Sequence, residues 1–265
     1  MPLSAPLSTL EPARSALLLD MDGTLLDIAP TPDLVRVAPG LTEALCRLRD
    51  AMGGALAVVT GRPIEQVDGL LAGVPYAVAG EHGGAIRHAP GAKVVRASLP
   101  TPPVDWVLEA ARIADAHPGV LLEQKQRGFV LHYRAVPDLG PALREAALAL
   151  IASQADRFHL MEALMAWEVR PRGADKGSAV HALMTEAPFS GQQPIFIGDD
   201  VTDEDGMRAA RAMGGAGLRV DEWFGGPADV RAWLAQAAVT SAADPGAWPP
   251  TPVQPTAAAT VLPPR

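Results

Sequence analysis

The chain has 265 residues, 22 basic and 30 acidic, giving a formal net charge of −8, with 48% hydrophobic and 20% charged residues. That length admits one large domain or a core plus a smaller unit, and that apolar content excludes a small stapled scaffold or a wholly disordered chain. The acidic balance excludes a general nucleic-acid binder, which needs a basic face to neutralise phosphates.

After a leader (1–14), a short apolar run at 16–19 ends in a polar, glycine-bearing turn. Similar runs follow at 55–59, 76–79, 194–197 and 218–220. Unalternating runs of this length fit strands buried on both faces of a parallel sheet. Between them lie helical patterns: 41–52, with Leu41, Leu45 and Leu48 on one face, and 176–184, with Val180, Leu183 and Met184. The rhythm breaks at Thr101-Pro102-Pro103. There follow a helix (104–116), strands at 120–126 and 129–135 joined near Gly128, a helix (140–153), and strands at 158–163 and 166–170. The predicted fold class is α/β: a Rossmann-like parallel-sheet core (15–100 and 172–235) with an α+β cap inserted at 101–171. From Gln236 onward the chain is rich in Pro, Ala and Thr, which predicts a disordered tail over 236–265.

Cys46 is the sole cysteine, so no intramolecular disulfide can form. The start lacks the basic-then-apolar layout of a secretory signal, and no uncharged apolar stretch nears the roughly 18 residues needed to span a bilayer. The expectation is a cytoplasmic monomer with no nucleic-acid or membrane partner.

Four polar elements sit where strands end, the place at which open parallel sheets collect ligands. The first strand runs into Asp20-Met21-Asp22-Gly23-Thr24. Asp20 is placed to react, and Asp22 projects to the same side if the chain stays extended; alternatively Asp22-Gly23 is an ordinary turn. Thr60-Gly61-Arg62 follows the second run, a hydroxyl and turn amides suited to an anion, unless Thr60 merely caps the helix begun by Pro63. Lys176 opens a helix against the macrodipole and so asks for an anionic partner, unless it is a solvated lysine beside Asp175. Gly198-Asp199-Asp200-Val201-Thr202-Asp203-Glu204-Asp205 puts five acids in seven residues. Their repulsion calls for a cation such as Mg²⁺, with Asp199 and Asp200 the better ligands and Asp203, Glu204 and Asp205 explained by the helix they introduce.

Taken in order, these motifs resemble the haloacid dehalogenase superfamily of phosphotransferases over about 15–221. The resemblance implies that Asp20 is the nucleophile and Asp22 the general acid/base, that Thr60 binds phosphate and Lys176 orients it. It also implies Mg²⁺ as cofactor, held by Asp20, Asp199, Asp200 and the main chain of Asp22. An acid two residues after the nucleophile is similar to phosphatases rather than to ion-pumping ATPases, which carry threonine there.

In the cap, polar residues fall two apart: Glu123, Lys125 and Arg127; His132 and Arg134; Glu168 and Arg170. Each set lies on one face of its strand, with Leu122, Leu131 and Tyr133 on the other. The cap helices must cover the apolar face, which leaves the polar one for substrate or for solvent. Glu123-x-Lys125, His132-Tyr133-Arg134, Glu168-Val169-Arg170-Pro171, Gly80-Glu81-His82-Gly83 and the acidic loop resemble the trehalose-6-phosphate phosphatases. That resemblance implies that Glu123, Lys125 and Glu168 hold sugar hydroxyls, and that Gly61, Arg62, His82 and Gly83 lie at the substrate, trehalose 6-phosphate. Met21 departs from the aromatic residue often found between the two aspartates. The competing readings are a phosphatase for glucosylglycerol, mannosylglycerate or sucrose phosphate, and a non-catalytic sugar-phosphate-binding regulator.

Overall fold

The computed structural model describes residues 7, 10–29, 34–125, 127–243 and 247–252. The first half of the core contains β1 (Ser15–Leu19), α1 (Leu41–Ala51), β2 (Leu56–Val59), α2 (Ile64–Leu71), β3 (Ala77–Gly80), β4 (Ala85–Arg87) and β5 (Val95–Arg96). The cap contributes α3 (Val104–Ala116), β6 (Leu121–Lys125), β7 (Gly128–His132), α4 (Gly140–Ile151), β8 (Phe158–Ala163) and β9 (Ala166–Pro171). The chain then completes the core with α5 (Lys176–Leu183), β10 (Gln193–Gly198), α6 (Asp203–Ala212), β11 (Ala216–Arg219), α7 (Val220–Trp223) and α8 (Pro227–Ala243).

The core sheet has the order β11-β10-β1-β2-β3-β4-β5. Its first five strands are parallel and its last two antiparallel. Every residue of β1, β2 and β3 is buried, which is why they read as unbroken apolar runs. In α1 the buried residues are Leu41, Ala44, Leu45 and Leu48, the three- and four-residue spacing of one helix face. Burying one such leucine contributes roughly 1.5–3 kcal/mol, so this stripe is enough to fix the helix on its sheet.

Register decides what the sheet presents at its carboxyl end. Leu19 pairs with Ile197 on one side and Val58 on the other. The residues leaving those strands, Asp20, Asp199 and Thr60, therefore emerge side by side.

Residues 98–174 form a compact unit of their own, against the 101–171 expected. Its sheet is antiparallel, in the order β6-β7-β9-β8. Phe129, Leu131, Trp167 and Val169 project from one sheet face into a core shared with Trp106 of α3 and with Leu143, Ala147 and Ile151 of α4.

Two features of the core differ from the sequence pattern or extend it. The strands β4 and β5 extend the core sheet, and at three and two residues they carry no apolar run to reveal them. The tail expected from Gln236 is ordered further: α8 continues to Ala243 with Ala237 and Ala238 buried. Beyond it, the Trp248 ring stacks on Trp233 at 5.3 Å, and Trp233 Nε1 donates to the Pro249 carbonyl at 2.9 Å. Alanine propensity and these tryptophans outweigh the Pro-rich composition. Residues 253–265, and the leader apart from Leu7 and 10–14, lie outside the described residues.

Candidate active site

Asp20 leaves β1 with its backbone amide still donating to Ile197 O, so its side chain is fixed by the sheet and is only 4% exposed. Lys176 meets it. Its Nζ lies 2.6 Å from Asp20 Oδ1 and 2.6 Å from Asp203 Oδ1. The lysine is the first residue of α5, whose amino end is closed by a reciprocal capping box between Asp175 and Ser178. The charge that the macrodipole disfavours is thus held by two buried carboxylates, and the solvated-surface alternative is excluded. Burial works against the ammonium, but Asp20 and Asp203 outweigh it and raise its pKa.

Asp203 is fully buried and does more than favour a helix end. Its second oxygen accepts the amides of Asp199 and Asp200, at 3.1 and 2.9 Å. Thr24 Oγ1 donates to Asp199 Oδ1 at 3.0 Å and lies 3.4 Å from Asp20 Oδ2. One oxygen from each of Asp20, Asp199 and Asp203 can be chosen within 4.8 Å of the others. Burial, then Asp203, pushes Asp199 up to about 6. Burial also raises Asp20 and Asp203, in each case against Lys176. Three converging carboxylates with one lysine remain short of positive charge, and hard oxygen donors of this kind suit a divalent cation. Gly23 takes a left-handed φ of 81°, and a Cβ there would overlap the Asp199 carboxylate.

One expected side-chain ligand stands apart from this cluster. Asp200 is exposed and its Oδ1 accepts the amide of Val201 at 2.6 Å, because adjacent residues of the turn point different ways. Asp203, read from sequence as a helix-end acid, is the third carboxylate of the cluster instead. Asp22 is half-buried and turns its carboxylate to Arg62, whose Nε and Nη2 each donate to it at 2.6 Å.

Thr60 is 2% exposed. The α2 cap position is held by Pro63 without a side-chain bond, so Thr60 is no helix cap; its Oγ1 accepts the Arg62 amide at 3.2 Å. The turn at 81–83 docks on this loop, with the amides of His82 and Glu81 donating to the carbonyls of Thr60 and Arg62 at 2.9 and 3.0 Å. Glu81 and His82 both adopt a φ of 54°, a costly conformation for non-glycine residues that concentrates at functional sites. A Cβ at Gly61 would overlap the His82 ring, so the glycine lets the two segments close together. Thr60, Gly61, Arg62, His82 and Gly83, scattered over two motifs, are therefore brought together by two segments that pack on each other.

Within the cap, Glu123 aligns with Val130 and Val130 with Glu168, which puts both acids on one sheet face. Lys125 Nζ reaches Glu168 Oε1 at 3.3 Å. His132 Nε2 lies 2.9 Å from Glu123 Oε2, and Arg170 Nε donates to His159 Nε2 at 2.9 Å. The helices cover the opposite, apolar face, as the period-two pattern requires. Sequence reasoning passed over Asp203 as a member of the cluster; the four-residue step from Asp199 into a helix start was the available signal.

The family model described as trehalose-phosphatase matches residues 18–222. A probable trehalose-phosphate phosphatase of Sinorhizobium fredii is 38% identical over 205 residues, 77% of either chain. The trehalose-6-phosphate phosphatase of Escherichia coli is 35% identical over 230 residues, covering 84% of this chain and 86% of that one. Among solved structures, the C-terminal domain of a Candida albicans trehalose-6-phosphate phosphatase superposes with a TM-score of 0.70 at 21% identity, over 86% of this chain and 93% of that one.

Proposed function

The chain belongs to the trehalose-phosphatase family, and from that premise we propose that it hydrolyses trehalose 6-phosphate to trehalose and phosphate with Asp20 as nucleophile. The observation that carries this reading is the Lys176 ammonium lodged 2.6 Å from Asp20 at the carboxyl end of β1. It holds a buried carboxylate in place and offers a positive charge where phosphoryl oxygens would lie.

Asp20 attacks phosphorus in line, and the new P–O bond forms as the bond to the sugar oxygen breaks. Asp22 gives its proton to that leaving oxygen and, as carboxylate, then takes one from the water that hydrolyses the aspartyl-phosphate and frees Asp20. Arg62 holds the Asp22 carboxyl group in place with two hydrogen bonds, and its planar fork also suits the oxygens of an incoming phosphate. The Thr60 hydroxyl and the amides of Gly61 and Arg62 receive phosphoryl oxygens, with the His82-Gly83 turn bracing them. Asp20, Asp199 and Asp203 would hold the divalent metal, for which we propose Mg²⁺. When bound it supplies the positive charge that lets two anions approach. In the cap we assign Glu123, Lys125 and Glu168 to the sugar hydroxyls, which charged side chains recognise well.

The testing experiment is phosphate release with Mg²⁺ from trehalose 6-phosphate, glucose 6-phosphate, sucrose 6-phosphate and glucosylglycerol phosphate, with Asp20→Asn as the blank. Selective release from trehalose 6-phosphate is expected. Preference for another ester would overturn the substrate, and activity retained by Asp20→Asn would overturn the nucleophile. No helix among the described residues is long and apolar enough to cross a membrane, and we place the enzyme in the cytoplasm as a monomer.

A further inference from the structure

Glu123 stands on β6, an edge strand of the cap sheet, where a long carboxylate has many rotamers open to it. The side chain is half-exposed, yet it is not left to wander: His132 on the neighbouring strand reaches it with Nε2 2.9 Å from Oε2. Facing a carboxylate, that ring nitrogen must carry the hydrogen and donate it. The bond is the first cause of a Glu123 carboxyl held below its usual range, ahead of the Lys125 charge. The pairing is diagonal, since His132 aligns in register with Leu121 and Glu123 with Val130. The imidazole therefore leans along the strand to meet the acid, the reach expected of long cross-strand pairs.

An exposed side-chain pairing of this kind contributes little to stability, so folding does not account for it. Its effect is on orientation. Lys125 leans to Glu168 at 3.3 Å, so each acid of the polar face is fixed by a separate basic group, and Glu123 by a histidine that the sugar-binding assignment leaves without a role.

We propose that His132 is a positioning residue for substrate specificity, fixing the Glu123 carboxylate in the orientation that reads a sugar hydroxyl. This rests on the assignment of Glu123 to the sugar. A carboxylate already oriented loses less freedom on binding than a mobile one, and the gain appears only with substrates that present a hydroxyl to it.

The test compares His132→Ala, His132→Gln, Glu123→Ala and the double alanine variant on trehalose 6-phosphate and on p-nitrophenyl phosphate, which has no sugar. For His132→Ala the ratio of kcat/KM between the two substrates falls about five- to tenfold, chiefly through KM on the sugar phosphate. His132→Gln regains most of the ratio, because its amide can donate from a similar reach. The double variant matches Glu123→Ala alone, since without the acid the histidine has nothing to position. Equal losses on both substrates, or additive losses in the double variant, overturn the positioning role while leaving the sugar assignment intact. An unchanged ratio in Glu123→Ala overturns the sugar assignment itself and the proposal with it.

Discussion

Arg62 and Asp22 form a two-pronged ion pair, with the guanidinium Nε and Nη2 each 2.6 Å from a carboxylate oxygen. The pair joins the loop after β2 to the loop after β1, and so ties the acid/base we propose to the turn we assign to the phosphate. A lysine can supply the charge but not the planar fork. Arg62→Lys is expected to lower kcat/KM about tenfold or more, because a small misplacement of a proton donor is costly. The loss should be similar on trehalose 6-phosphate and on p-nitrophenyl phosphate, since the phosphate end is common to both. A loss confined to the sugar phosphate would show that Arg62 serves the sugar instead.

Removing Lys176 strands the carboxylates it neutralises. Lys176→Met keeps much of the volume and leaves Asp20 and Asp203 buried without their cation, which should cost about 3–5 kcal/mol. Urea denaturation measures the loss, and added Mg²⁺ should recover part of it by supplying charge to the same cluster. A variant as stable as the parent would contradict the ion-pair account.

The acidic cluster also predicts how pH and metal interact. Asp199, pushed up to about 6 by burial and by Asp203, binds a proton more tightly in the fold than in the unfolded chain. Asp20 and Asp203 shift the same way. Stability without metal therefore falls as pH rises from about 4 through about 6, while metal affinity, which needs the carboxylates, rises over the same interval. Melting temperatures with and without Mg²⁺ should separate as pH is raised across that window. Parallel curves would remove these carboxylates from the metal site.

The C-terminal segment carries a different expectation. Trp248 is 7% exposed and stacks on Trp233. Trp248→Ala should cost about 2–4 kcal/mol of stability, by lost burial and a partly filled hole. The rate on trehalose 6-phosphate below the melting temperature should be unchanged, because no polar group of the site is touched.

Much of this arrangement could be read from residue order. The strand-end positions of Asp20, Thr60 and Asp199 follow from apolar runs too long to be turns and too short to be helices, and Lys176 betrayed itself by sitting where a helix repels it. The polar cap face followed from period two alone. What stayed hidden has physical reasons. Asp203 has an ordinary explanation as a helix-start acid, and only three dimensions show it turned back on two amides and a lysine. Asp200 sits beside Asp199 in sequence yet faces outward, because a turn rotates neighbouring side chains apart. The end of α8 is built from alanines, strong in helix propensity but faint in hydrophobic pattern. The short β4 and β5 are held by the sheet edge rather than by their own residues.

The sheet order sets a timetable for synthesis. β1 is made before both of its sheet neighbours, yet Ser15 pairs with Gln193, and Asp20 waits for a lysine 156 residues downstream. At about 5–20 residues per second, the nascent chain carries β1 with one unpaired edge for roughly ten seconds or more. Meanwhile residues 98–174, with a core of their own, can complete their hairpins before the larger sheet closes. Asp20 is thus made well before the lysine and the acids it packs against, and the half-built sheet is the interval in which a chaperone has most to protect.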